Sequence, residues 1–271
     1  MNTPSDTAVF DAPYPVPSRD EIIEALSDAI ALNQLSLFYQ PQADLQTGEI
    51  CGVESLLRWQ HPRFGNIPPA RFIPLAEESL HILEIGVWVV RRACQDIRSW
   101  LDKGIVVPPV AVNISPVQLS DDLVRAVQQA IDDYRICADS LELEVTEGAL
   151  MGDIAHSERV LTALKGIGLK LSLDDFGTGY SSLSHLRQLP IDRLKIDRAF
   201  VTELSNAVLG GHIASMVIEL GRNLNLTVIA EGIEEESQAQ TLLRMGCHEG
   251  QGYLYAKPMA SPQLTEWILA R

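Results

Sequence analysis

Strand-like and helix-like runs alternate along this chain, and that alternation restricts the fold more than any other feature. The strand-like runs are "LSLFYQP" (35–41), "GVESLLRW" (52–59), "VAVNIS" (110–115), "LELEVTE" (141–147), "LKLSLDD" (169–175), "DRLKID" (192–197), "LTVIAEGI" (226–233) and "QGYLYA" (251–256). Helical stretches such as "DDLVRAVQQAIDDY" and "ESQAQTLLRMG" separate most of them. The first two runs are joined only by "QADLQTGEI", too short for a crossover helix, so they pair antiparallel. Eight strands with mostly helical crossovers in 271 residues predict an α/β fold, a modified (β/α)8 TIM-type barrel with an antiparallel strand pair at its start. An open doubly wound sheet is the alternative, but no G-x-G-x-x-G follows the first strand. Residues 1–17 carry Ser, Thr, Asp and Pro without a period and read as a flexible leader or linker, leaving 18–271 for the barrel. Ser18 and Glu21 form a capping-box pattern ahead of Ile22, Ile23, Leu26, Ile30 and Leu32, which suggest an amphipathic helix.

In such barrels the chemistry gathers at the C-terminal strand ends. Read in order, those ends supply Asn113, Glu144, the adjacent Asp174 and Asp175, Lys195, Glu231 and Gln251, with Glu54 inside the second strand on the face of Leu56 and Arg58. One polar strand end is usually just solvated; acids, amides and a lysine at so many ends converge if the barrel closes. Two neighbouring carboxylates about 4 Å apart repel by about 4 kcal/mol at an effective dielectric near 20, so Asp174 and Asp175 either diverge or share a cation. Strict alternation sends them to opposite faces, and both reach one centre only if the chain turns there, which Gly177 and Gly179 permit. Oxygen ligands of this kind suit Mg²⁺ or Mn²⁺, not zinc. Two such ions about 3.5–4 Å apart can activate water and stabilise a leaving oxygen in phosphodiester hydrolysis.

Composition limits the partners. A net charge of -15 argues against counterion-driven nucleic-acid binding, although a bound metal can reverse the sign locally for a small anion. The four cysteines are widely spaced and read as buried thiols, not as a disulfide frame or zinc cage. No apolar run reaches membrane-spanning length and no signal-peptide pattern is present, so the cytoplasm is the expected compartment. The histidines show no metal spacing. Asp197 reads as a loop-orienting residue, and Glu234 and Glu235 as caps of the following helix.

From about Ile22 onward the chain resembles an EAL domain, the family that hydrolyses cyclic di-GMP. The naming motif stands as "ESL", with Ser55 where the family usually has alanine, and "FYQP", "NIS", "EVTE", "DDFGTGYSSL", "LKID", "AEGIE" and "GCHEGQGYLYAKP" follow in the expected order. The resemblance implies that Glu54, Asn113, Glu144 and Asp174 hold a first metal ion and that Asp174 bridges to a second, which Asp175 also binds. Lys195 would hold the attacking water, Glu231 would contact water of the metal site as one candidate base, and Gln251 would order the network. Gln40 and Arg58 would contact the dinucleotide. Glu147, the second acid of "EVTE", would anchor the loop "FGTGYSS" (176–182) from beside the metal ligands, where the bland alternative is a solvated surface glutamate. A homodimer and an attached sensor or cyclase domain are expected on the same ground. Two other readings remain at this point: a sensor that binds cyclic di-GMP without cleaving it, and an enolase-like barrel that abstracts a proton.

Overall fold

The computed structural model describes residues 14–150, 154–176, 186–205 and 211–270, without the side chains of residues 149, 150, 175 and 205. Residues 1–13 of the expected leader therefore lie outside the described residues.

Eight strands close on themselves. They are β1 (Leu35–Asp44), β2 (Ile50–His61), β4 (Val110–Ile114), β5 (Leu141–Thr146), β6 (Lys170–Phe176), β7 (Arg193–Ile196), β8 (Thr227–Ala230) and β9 (Glu249–Gln251), with closure by the β1–β2 pairing. The short β3 (Gly65–Ile67) and β10 (Met259–Ala260) extend the sheet beside β2 and β1. From β2 through β9 the barrel neighbours run parallel, while β1 runs antiparallel to both β2 and β9. The expected barrel with an antiparallel start is the one formed.

The period of two explains why the barrel closes around polar side chains. In β5, Leu141, Leu143 and Val145 are buried in the apolar core, while Glu142 and Glu144 pair with Arg193 and Lys195 across the barrel. In β7, Leu194 and Ile196 belong to the same core while Arg193 and Lys195 point at those acids. The apolar faces meet the helices. In α3 (His81–Asp102), Ile82, Ile85, Val89, Ala93, Ile97 and Trp100 recur at helical spacing and are all buried. Tyr39 of β1 packs edge-on against Trp100 at 5.0 Å between ring centres and donates its hydroxyl to Asp96 at 2.6 Å.

Further helices are α1 (Arg19–Leu26), α2 (Pro69–Glu78), α4 (Asp121–Tyr134), α5 (Ile154–Ile167), α6 (Arg198–Thr202), α7 (His212–Leu224), α8 (Glu236–Met245) and α9 (Ser261–Leu269). Ser18 and Glu21 do form the capping box of α1. That helix stops at Leu26, however, and Leu32 is 61% exposed. Asn33 adopts a left-handed φ of 53° and turns the chain into β1, so the apolar period beyond Leu26 belongs to a turn. The last strand also differs from the sequence reading: it ends at Gln251, and "GYLYA" is a turn. A Cβ at Gly252 would stand 2.0 Å from the carbonyl oxygen of Ile233, and Leu254 N–H donates to that same oxygen at 3.0 Å, which folds the chain back instead of extending it. All four cysteines are free thiols, but only Cys94 and Cys247 are buried; Cys51 is partly exposed and Cys137 exposed.

Candidate active site

The strand ends converge on one buried ammonium. Lys195 is 0% exposed, and its Nζ lies 2.6 Å from Glu231, 2.7 Å from Glu144, 3.4 Å from Asp174 and 3.8 Å from Glu54. Register places these residues together: Asn113 pairs with Glu144, Thr146 with Asp174, and Lys195 with Ile229, one residue before the last of β8. Glu231 follows that strand directly, its N–H donating to the Ile196 carbonyl at 3.0 Å. Asn113 Nδ2 donates to Glu54 Oε1 at 2.8 Å, and Gln251 Nε2 donates to Glu54 Oε2 at 2.5 Å.

The sequence posed the Asp174–Asp175 pair as a repulsion to be met by divergence or by a shared cation, and the neighbouring acids raise the same problem. In the structure part of that work falls to Lys195. Burial alone would lower its pKa, but Asp174, Glu144, Glu231 and Glu54 outweigh burial and drive it well above the usual lysine value. Burial raises the Glu231 carboxyl to about 8 against the pull of Lys195, with Asp174 and Glu54 adding to the rise. It likewise raises Glu144 well above the usual carboxylate range.

Asp174 and Asp175 lie on a strand irregularity. Leu173 faces Leu194 and Phe176 faces Ile196, so two residues of β6 oppose Lys195 alone. Such a bulge breaks the strict alternation that would send neighbouring carboxylates to opposite faces. The turn at Gly177 and Gly179, and the loop Glu147 is expected to anchor, extend outside the described residues. Glu147 itself is 3% exposed, which removes the solvated-surface alternative.

The donor set fits hard divalent cations. The atoms it could offer are carboxylate and amide oxygens, and Glu144 Oε1 is buried without a hydrogen-bond donor. Among the described residues, no three Asp, Glu, His or Cys side chains stand ready as a metal cage by themselves. The acids are drawn to Lys195, and the side chain of Asp175 is not among those described.

Arg58 is half-buried, 5.6 Å from the Phe38 ring centre, and donates to the Leu57 carbonyl at 3.0 Å. With Asn113, Ser115, Thr146, Ile73 and Val89 it lines a cavity of about 450 Å³ between the strand ends and α2–α3. Gln40 is only 7% exposed, and its amide is engaged within the protein, accepting from Gln251 at 2.9 Å and donating to the Ala256 carbonyl at 3.0 Å. Ser55 is buried and donates to the Ala111 carbonyl at 2.8 Å, so its extra hydroxyl is satisfied. Asp197 caps α6 through Ala199 N–H at 2.8 Å, and Glu234 pairs with Arg198 at 2.7 Å, as loop residues and not as ligands.

Sequence reasoning missed a second charged layer one residue pair below the site. Arg193 donates to Glu142 at 3.1 Å, to Glu249 at 2.6 Å and to Gln42 at 3.0 Å. The signal was present: Arg193, Glu142 and Glu249 each lie two residues before Lys195, Glu144 and Gln251, hence on the same strand faces.

A mixed barrel whose strand-end acids surround a lysine defines a class of oxygen-ligand, metal-compatible α/β barrels. Within that class the match is specific: the EAL domain model covers residues 23–258, and the chain belongs to the EAL domain family. This membership removes the enolase-like reading. The chain is 43% identical over 245 residues to the bifunctional diguanylate cyclase/cyclic di-GMP phosphodiesterase MucR of Pseudomonas aeruginosa, covering 90% of this chain and 36% of that protein. It is 40% identical over 250 residues to the cyclic di-GMP phosphodiesterase PA2567 of the same organism, covering 91% of this chain and 42% of that protein. It thus spans well under half the length of these curated relatives. The solved PaMucR phosphodiesterase, c-di-GMP complex, superposes with a TM-score of 0.86 at 43% identity, covering 90% of this chain and 99% of that one.

Proposed function

We propose that this chain is a metal-dependent phosphodiesterase that opens cyclic di-GMP to linear 5'-pGpG. The observation that carries the reading is the convergence of Glu54, Glu144, Asp174 and Glu231 on the buried Lys195 at the strand ends. Family membership and the activities for which the relatives are named support the substrate. In this reading Glu54, Asn113, Glu144 and Asp174 would hold one divalent ion, and Asp174 and Asp175 would hold a second, with Mg²⁺ and Mn²⁺ the fitting metals. When bound, the ions supply Lewis-acid polarisation of the phosphate and of the attacking water.

The side chains do the rest. Lys195 positions the water and offsets charge on the phosphate in a site that excludes bulk solvent. Glu231, whose carboxylate meets Lys195 Nζ at 2.6 Å, is the candidate base that takes up the proton as the water oxygen attacks phosphorus. The phosphorus–O3' bond breaks, the 3' oxygen takes a proton, and one water is consumed. Gln251 holds Glu54 in place. Arg58 grips a phosphate or a guanine edge from the cavity wall, and Gln40 reaches the dinucleotide by exchanging its present bonds. Glu147 anchors the loop 176–182 that follows Asp175.

The same proposal places the barrel (residues 18–271) after a flexible leader or linker (1–17) in the cytoplasm, as a homodimer with an attached sensor or cyclase domain. The covered fraction of MucR, which is named as bifunctional, supports the further domain. None of the described helices is long and apolar enough to cross a membrane. Incubation of purified protein with cyclic di-GMP and Mg²⁺ or Mn²⁺, followed by chromatography, tests the reading. The expected result is conversion to the linear dinucleotide, abolished by Glu54→Ala or Asp175→Asn with the circular dichroism unchanged. Tight binding without product would assign the chain to the non-cleaving sensors.

A further inference from the structure

We propose that Gln42 is a positioning residue: it fixes the amide of Gln251, and through it the carboxylate of Glu54, against the Arg193 layer below. The inference rests on the metal-dependent hydrolase reading and adds a residue to it.

An unbroken hydrogen-bonded line runs from the lower charged layer to the site. Arg193 Nη1 donates to Gln42 Oε1 at 3.0 Å, and Gln42 Nε2 donates to Gln251 Oε1 at 3.1 Å. Gln251 Nε2 then donates to Glu54 Oε2 at 2.5 Å and to Gln40 Oε1 at 2.9 Å, and Gln40 Nε2 donates to the Ala256 carbonyl at 3.0 Å. An amide can ordinarily be turned end for end, but these cannot. A guanidinium only donates, whereas a carboxylate and a backbone carbonyl only accept. Arg193 therefore fixes which end of Gln42 faces down, and Glu54 and Ala256 independently require the same direction in Gln251 and Gln40. All three ends agree on one polarity.

Two observations separate this from simple burial of polar groups. Arg193 already has two carboxylates, Glu142 and Glu249, so it does not need Gln42 for charge. The barrel also leaves out a side chain for the Gln42 amide. Gly52 is its partner on β2, and a Cβ there would stand 2.2 Å from Gln42 Oε1. The device depends on the reversed strand, since β1 pairs Gln42 with Gly52 on one side and with Gln251 on the other.

The test uses Gln42→Glu and Gln42→Met in the full chain. The carboxylate of Gln42→Glu pairs with Arg193 but has no donor for Gln251, which turns over and presents Oε1 to Glu54. The closest isostere is thus expected to be the more damaging variant. Calorimetric Mn²⁺ affinity without substrate and kcat on cyclic di-GMP should each fall about 10–100-fold in Gln42→Glu, with KM near wild type and less loss in Gln42→Met. Gly52→Ala should give a similar loss by displacing the amide, and it should add nothing in a Gln42→Ala background. Wild-type Mn²⁺ affinity and kcat in Gln42→Glu, or losses that simply follow the thermal midpoint across the variants, overturn the inference alone. A wild-type protein that neither binds Mn²⁺ nor cleaves cyclic di-GMP overturns the functional reading and the inference with it.

Discussion

Replacing Lys195 by methionine removes the buried cation that faces Glu231, Glu144, Asp174 and Glu54 at 2.6, 2.7, 3.4 and 3.8 Å. Methionine nearly conserves the stem volume, so the loss is one of charge. Breaking a buried ion pair by removing one partner costs about 3–5 kcal/mol, because the other charge stays buried and uncompensated. For a domain of this size that is about 10 °C in Tm. The deficit should shrink toward acid pH, where the carboxyls take up protons, and also on adding Mg²⁺ or Mn²⁺, which replace the lost charge. Turnover should fall about 10²–10³-fold, as for other charge-stabilising groups in water-excluded sites, while cyclic di-GMP still binds. Thermal melts in EDTA and in Mn²⁺, with steady-state kinetics, check all three statements. An unchanged Tm in EDTA would refute the electrostatic account of the site. A normal kcat with lost binding would refute the catalytic role.

Three further outcomes follow from the same geometry. Glu147→Gln should weaken the apparent metal affinity about 10–100-fold and recover activity at high Mn²⁺; an unaltered metal titration would remove its anchoring role. Ser55→Ala deletes only the bond to the Ala111 carbonyl, so denaturant unfolding should show a loss of about 0.5–1.5 kcal/mol with turnover at the wild-type level. In metal-free protein, burial holds Glu231 up at about 8 and Glu144 also high, so both are protonated in the fold at pH values where the unfolded chain is ionised. That contribution is fully present below the ordinary carboxylate pKa and is lost as pH rises through about 8, so Tm in EDTA should fall from about pH 5 to about pH 8. A flat or rising profile contradicts it.

The barrel was legible because strand-like runs, most of them with a period of two, alternate with crossovers mostly long enough for helices. The site was legible because catalytic barrels use strand ends, and Asn113, Glu144, Asp174, Lys195, Glu231 and Gln251 stand there. What alternation does not reveal is which face turns inward. In "LELEVT" the leucines belong to the helix-facing core and the glutamates to the barrel interior, the reverse of an apolar-filled barrel. Lys195 as the centre of the acid ring, and the Arg193 layer beneath it, depend on pairings across strands far apart in sequence. The end of β9 was misplaced because tyrosines and leucine favour strands, while the deciding factor was the close approach of Gly252 to Ile233. The bulge at Asp174–Asp175 has no sequence mark before the glycines that follow it.

The central claim is that the acids around Lys195 hold the divalent ions that support hydrolysis of cyclic di-GMP. Its most direct test is the hydrolysis rate of EDTA-stripped wild-type protein as Mg²⁺ or Mn²⁺ is added back. The account predicts no linear product in EDTA and a saturable rise in 5'-pGpG with metal. Full-rate cleavage in EDTA, or bound but intact cyclic di-GMP at every metal concentration, would contradict it.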